Sequence, residues 1–206
     1  MLTRVKQKVQ AMLTAEARAA RRIRLTPNRI SAMGIILAFL SAVAYAEWQS
    51  NTLYLLLATF LLLLSGFSDA LDGVVARLFQ ETTAFGGFLD SLLDRYADAA
   101  VYMGIIIGGL CDVLWGLIAI AGSSLVSYSR ARADAAGVKM ESIGLAERAE
   151  RMIILAIASM IAYFWQPRQV MNASIILLAI LSNLTVLQRS LHVYKRLKKQ
   201  ETSREA

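Results

Sequence analysis

The stretch Ser68-Asp69-Ala70-Leu71-Asp72-Gly73-Val74-Val75-Ala76-Arg77, followed by Gly86-Gly87-Phe88-Leu89-Asp90-Ser91-Leu92-Leu93-Asp94, sets four carboxylates among strongly apolar neighbours. A carboxylate in such surroundings is costly unless it is paired or bound to a cation. At helical spacing Asp69, Asp72, Gly73 and Ala76 share one face, and Asp90 and Asp94 share another. A tight connection between two helices would bring these faces together, where the carboxylates repel one another until cations neutralise them. All-oxygen ligation suits a hard ion such as Mg²⁺ or Mn²⁺, and a lone His192 and a lone Cys111 argue against zinc. Gly73 and Ala76 leave the Asp69/Asp72 face without bulk, and Arg77 beside it suits phosphate oxygens. Metal-binding carboxylates, small residues and an arginine together describe a site for a diphosphate.

The elements that must position these groups follow from composition. The chain has 206 residues, 57% of them hydrophobic and 18% charged, with a mean hydropathy of +0.51, which excludes an ordinary soluble domain and a disordered chain. A single cysteine excludes an intrachain disulfide framework. The net charge of +7 comes from basic residues beside apolar stretches, so an anionic membrane surface fits it better than nucleic acid. A spanning helix needs about 20 mostly apolar residues. Six segments qualify: Ile30 to Trp48, Leu53 to Ser68, Ser91 to Leu110, Val113 to Ser129, Met152 to Trp165 and Val170 to Val193. The expected fold is an all-α integral membrane protein with six transmembrane helices. Thr26 can cap the first span, which Pro27 opens.

With six spans, every Lys and Arg except Arg168 falls on one side, which the positive-inside rule makes cytoplasmic, with both termini there. The opposite connections, at Gln49 to Thr52, Cys111 to Asp112 and Gln166 to Gln169, are too short for a folded domain. The chemistry is therefore expected at the cytoplasmic face of a cell membrane. Residues 1–24 lack Gly and Pro, and Leu2, Val5, Val9, Met12 and Leu13 recur at helical spacing opposite Arg4, Lys8 and Arg18, with Glu16 breaking the apolar face. This predicts an amphipathic interfacial helix, followed by a six-span domain over 25–194 and a basic tail over 195–206.

The pattern Asp69-x2-Asp72-Gly73-x2-Ala76-Arg77-x8-Gly86-x3-Asp90-x3-Asp94 resembles the signature of the CDP-alcohol phosphotransferase family at every defined position. Members are integral membrane enzymes, usually homodimers, that move a phosphatidyl or similar group from a CDP-linked lipid to an alcohol and release CMP. The resemblance implies that Asp69, Asp72 and Asp90 ligate a pair of divalent metals, Mg²⁺ or Mn²⁺, and that Asp94 is the general base with possible metal contact. It implies that Gly73, Arg77 and Thr83 contact the CDP moiety, as do Asn28, Arg29, Ile30 and Ser31. The physical roles agree, since metals neutralise the departing nucleotide's charge while a carboxylate near the acceptor hydroxyl takes its proton.

Ser127-Tyr128-Ser129-Arg130-Ala131-Arg132-Ala133, Glu147-Arg148-Ala149-Glu150-Arg151 and Gln188-Arg189 resemble one branch of the family, the phosphatidylinositol-phosphate and archaetidylinositol-phosphate synthases. By resemblance Arg130, Arg151 and Arg189 bind the phosphate of inositol phosphate. An arginine within a span is expensive, so Arg189 is expected to face an internal polar cavity. Two readings compete: transfer to glycerol 3-phosphate, also an anionic acceptor, and a cation transporter using the intramembrane aspartates. Transporter sites tend to lie near the bilayer midplane on broken helices, whereas these carboxylates straddle the ends of two spans. A nonenzymatic lipid-binding scaffold leaves the ordered Asp spacing unexplained.

Overall fold

The structure, a computed structural model, describes residues 14–23, 25–140 and 143–205. These form a short helix α1 (residues 14–22) and six longer ones: α2 (Pro27–Ala46), α3 (Leu53–Leu78), α4 (Ala84–Ile107), α5 (Val113–Ala135), α6 (Arg148–Phe164) and α7 (Pro167–Glu205). Each expected span falls on one of the long helices. Four of these, α2, α3, α5 and the Pro167–Lys199 part of α7, are long and apolar enough to cross a membrane. The other two differ for visible reasons: α4 carries Asp90, Asp94, Arg95 and Asp98, and α6 has 17 residues.

The long helices close into a ring. In the main packing contacts α2 lies against α3 and α4, α3 against α6, α6 against α7, α7 against α5, and α5 against α4. Buried side chains from all six, among them Tyr45, Leu55, Ile105, Ala119, Leu155 and Met171, fill the middle as one apolar cluster. Large apolar residues face outward instead, such as Ile36, Phe60, Met103, Leu117, Ile157 and Leu187. That distribution suits a hydrocarbon surround, in which small residues let helices approach one another and bulky ones meet lipid. The crossing of α2 on α4 is the tightest case: a Cβ at Gly104 would lie 2.7 Å from the Ala42 Cα and carbonyl carbon and closer still to the carbonyl oxygen. Tyr45 Oη and Ser159 Oγ, 2.7 Å apart, tie α2 to α6 inside the cluster.

The ends of the helices repeat some expectations and alter others. Thr26 is the N-cap residue of α2 with Pro27 in its first turn, but the Thr26 side chain makes no capping hydrogen bond. Asp112, in the short connection before α5, caps that helix by accepting from Leu114 N at 2.9 Å. The basic tail over 195–206 is not a separate segment in shape, because α7 runs on through it to Glu205. Of the amphipathic segment, Leu2, Val5, Val9, Met12, Leu13, Arg4 and Lys8 lie outside the described residues. The described part, α1, buries Ala17 and Ala20 against Ile30, Leu71 and Val75, leaves Glu16 and Arg18 exposed, and is held by an Arg21–Glu81 ion pair of 2.6 Å.

Candidate active site

One end of the ring gathers the chemistry. The turn after α3 and the start of α4 fold the two acidic faces onto each other. Gln80 takes a left-handed φ of 57°, Glu81 N bonds to Ala76 O at 2.9 Å, and Thr83 caps α4 by accepting from Gly86 N at 2.9 Å. As a result Asp69, Asp72 and Asp90 each offer a carboxylate oxygen, all within 4.8 Å of one another. Asp72 is buried and accepts a 2.5 Å hydrogen bond from Ser31 Oγ on α2. Three converging carboxylates without a nitrogen or sulfur donor fit a hard divalent cation.

Beside this trio a groove of about 240 Å³ opens between the start of α2, the end of α3 and the α3–α4 turn, lined among others by Asn28, Ser31, Gly73, Ala76, Arg77 and Thr83. The Arg77 guanidinium lies over Gly73, where an added Cβ would come within 3.2 Å of its Nη1. Asn28 Oδ1 approaches Gly86 from the other side. The groove thus offers a cationic fork and amide and hydroxyl groups next to the carboxylates, a layout suited to a diphosphate. Of the seven residues expected along the CDP moiety, Asn28, Ser31, Gly73, Arg77 and Thr83 meet here. Ile30 points away into the apolar cluster with α1, and Arg29 is exposed and absent from the groove lining.

Asp94 lies one turn further along α4, where Arg148 from α6 engages it. The Arg148 Nη1 is 2.6 Å from Asp94 Oδ1 and 2.8 Å from Asp69 Oδ2, while its Nε donates to Asp98 Oδ1 at 3.2 Å. Asp98 Oδ2 accepts from Arg151 Nη2 at 2.6 Å and from Ser123 Oγ at 3.2 Å. Neither Arg148 nor Asp98 was assigned a role by sequence. A signal existed for both: Asp98 continues the i, i+4 series from Asp90 and Asp94, and Arg148 precedes Arg151 by one turn.

The three arginines expected around an acceptor phosphate come from α5, α6 and α7 at this same end. Arg130 and Arg151 both lie close enough to act on the Arg189 charge. Their surroundings differ. Arg130 is exposed, whereas Arg151 and Arg189 are 3% and 2% exposed. Arg151 donates to Ala146 O at 3.0 Å as well as to Asp98, and Arg189 donates to Ile143 O at 2.8 Å and Val126 O at 2.5 Å. Arg189 therefore ties the α5–α6 connection to the ring, helped by Thr185 Oγ1, which accepts from Leu145 N and Ala146 N.

Residues 24–187 match the family described as CDP-alcohol phosphatidyltransferase. The chain is 44% identical over 179 residues to an archaetidylinositol phosphate synthase of Methanothermobacter thermautotrophicus, covering 87% of this chain and 88% of that one. Its structure is similar to that of phosphatidylinositol phosphate synthase of Mycobacterium tuberculosis with CDP-DAG bound, with a TM-score of 0.76 at 29% identity over 89% of this chain and 94% of that one. The same enzyme in complex with manganese and citrate gives a TM-score of 0.75 at 29% identity, covering 88% of each chain.

Proposed function

Since the chain belongs to the CDP-alcohol phosphatidyltransferase family, and is a multi-pass membrane transferase, we propose that it moves a phosphatidyl or archaetidyl group from a CDP-linked lipid onto inositol phosphate and releases CMP. The observation that supports this reading is a groove lined by Arg77, Asn28 and Thr83 beside three converging carboxylates, Asp69, Asp72 and Asp90. The likeness to the archaetidylinositol phosphate synthase supports the choice of acceptor.

In this reading Arg77, Asn28, Ser31, Gly73 and Thr83 receive the CDP moiety in the groove. Asp69, Asp72 and Asp90, with Asp94 at the margin, hold two divalent ions, Mg²⁺ or Mn²⁺, which neutralise the diphosphate when bound. Arg130, Arg151 and Arg189 hold the acceptor phosphate by charge-assisted hydrogen bonds. The acceptor hydroxyl attacks the phosphorus that carries the lipid, a new O–P bond forms as the bond to the CMP oxygen breaks, and Asp94 takes the hydroxyl proton. The six long helices all span the bilayer, α1 lies along the interface, both termini and the site face the cytoplasm, and two copies pair as a homodimer. Residues 25–194 form the catalytic domain.

The deciding experiment supplies purified protein with a CDP-lipid and either inositol 1-phosphate or glycerol 3-phosphate, and measures CMP. Turnover with inositol 1-phosphate is expected. Preference for glycerol 3-phosphate, or for unphosphorylated inositol, would overturn the acceptor.

A further inference from the structure

The aspartates of α4 and the arginines of α6 face each other as two short ladders. On α4, Asp94 and Asp98 are four residues apart; on α6, Arg148 and Arg151 are three apart, so each pair projects from one side of its helix. The rungs interlock instead of pairing one to one. Arg148 spans Asp69, Asp94 and Asp98 with a single guanidinium, and Asp98 divides its oxygens between Arg148 and Arg151. The result is a continuous run of charge-assisted contacts from Asp94 to Arg148 to Asp98 to Arg151. These two helices are not neighbours in the ring, so the run crosses it.

We propose that Asp98 and Arg148 are positioning residues that hold the Asp94 carboxylate and the Arg151 guanidinium in one fixed relation, so that the acceptor's phosphate and its attacking hydroxyl are presented together. This rests on the proposed roles of Asp94 as the proton acceptor and Arg151 as a phosphate ligand. A buried ion-pair network is weak support for stability, because desolvation offsets most of its Coulomb gain, and apolar residues of similar volume serve packing as well or better. What such a network does supply is geometry. Arg148 offers a planar fork whose Nε and Nη1 point along different directions, and a lysine in its place could not reach all three carboxylates at once. Ser123 fixes the remaining freedom of Asp98 from α5, at 3.2 Å.

The test uses the full-length protein in detergent, with CMP release measured against acceptor concentration. In Asp98→Asn the amide keeps the shape but loses the charge that holds both arginines. Acceptor KM is expected to rise about tenfold to a hundredfold, the loss of one charge-assisted contact, and kcat to fall as Asp94 loses its fixed partner. Apparent affinity for the CDP-lipid should stay within a factor of about two, because Asp98 does not line its groove. Arg148→Lys is the gentler second variant, which keeps the charge: kcat should fall at least about tenfold. Asp98→Glu, which retains the charge, should recover part of the acceptor KM. A purely structural role predicts lower melting temperature with unaltered KM and kcat in the folded fraction. That outcome, or Asp98→Asn and Arg148→Lys enzymes with wild-type constants, overturns the proposal. Wild-type enzyme is first compared on inositol 1-phosphate and glycerol 3-phosphate, and the variants are measured with whichever supports turnover, so a wrong acceptor leaves the network under test. Use of neither overturns both.

Discussion

Replacing Gly104 by alanine asks how closely α2 and α4 must approach for the site to form. An added Cβ would meet the Ala42 backbone, at 2.7 Å from its Cα and carbonyl carbon, where ordinary contact begins at 3.4 to 4 Å. The two helices would have to part by roughly 1 Å, since backbone cannot rotate out of the way as a side chain can. Two effects oppose each other. Alanine is the better helix former by about 1 kcal/mol, while overpacking costs about 1–3 kcal/mol, here at the upper end. The net loss of about 2 kcal/mol corresponds to a melting temperature lower by about 4–8 °C for a chain of this size. Activity should suffer further, because α2 carries the Ser31 hydroxyl 2.5 Å from Asp72, and a misplacement of about 1 Å can cost about a hundredfold in rate. Gly66→Ala is the matched control: its Cβ would meet only the flexible end of Met152, at 2.6 Å from Cε, so Met152 turns aside and the melting temperature stays near that of the unaltered protein. Thermal unfolding in detergent compares the three proteins. A Gly104→Ala protein at least as stable as the Gly66→Ala one would refute the close-crossing argument.

Asp94→Asn is expected to lower transfer by a factor of about 10² to 10⁴ while CDP-lipid still binds, measured as CMP release beside equilibrium binding. Asp69→Ala and Asp72→Ala should each lose metal-dependent nucleotide binding, and full activity of the unaltered enzyme in excess EDTA would remove the divalent ion from the scheme. Arg130→Ala should raise acceptor KM about tenfold with an unchanged melting temperature, because the residue is exposed. Arg189→Ala should do the same and also melt earlier, since it strips donors from the carbonyls of Val126 and Ile143.

The site's acidic half was legible because its information is local. Asp69, Asp72 and Asp90 declare their faces through spacings of three and four, and the cost of carboxylates among apolar residues requires a reason for them. The internal partners of the arginines were not legible, because Arg189 donates to carbonyls of Val126 and Ile143, and any residue type presents the same carbonyl. Arg148 and Asp98 were passed over although both repeat a visible helical spacing; their meeting depends on α6 lying across from α4. That arrangement comes from which helix packs on which, and apolar periodicity says only that a face is buried, not against what. The same limit explains Ile30, which belongs to a segment expected along the nucleotide yet turns its side chain toward α1. The six helical segments, by contrast, were each predictable as helices, because length and apolarity are properties of each segment alone, whereas their polar ends were not: α3 runs ten residues beyond Ser68 and α7 twelve beyond Val193.

The apolar cluster beneath the carboxylates also bears on what the ring lets through. Six helices in a closed circle with acidic groups at one mouth have the outline of an ion conduit. Here the bore is stopped: Tyr45, Leu55, Ile105, Met171, Ile175 and Leu178 are each less than 2% exposed and occupy the middle, drawn from α2, α3, α4 and α7. An ion leaving the aspartates in that direction would have to shed its water among mostly apolar side chains, where the few hydroxyls, such as those of Tyr45 and Ser159, are already bonded to one another. The carboxylate end is a blind well, closed below by packed side chains, so whatever enters it leaves by the same mouth.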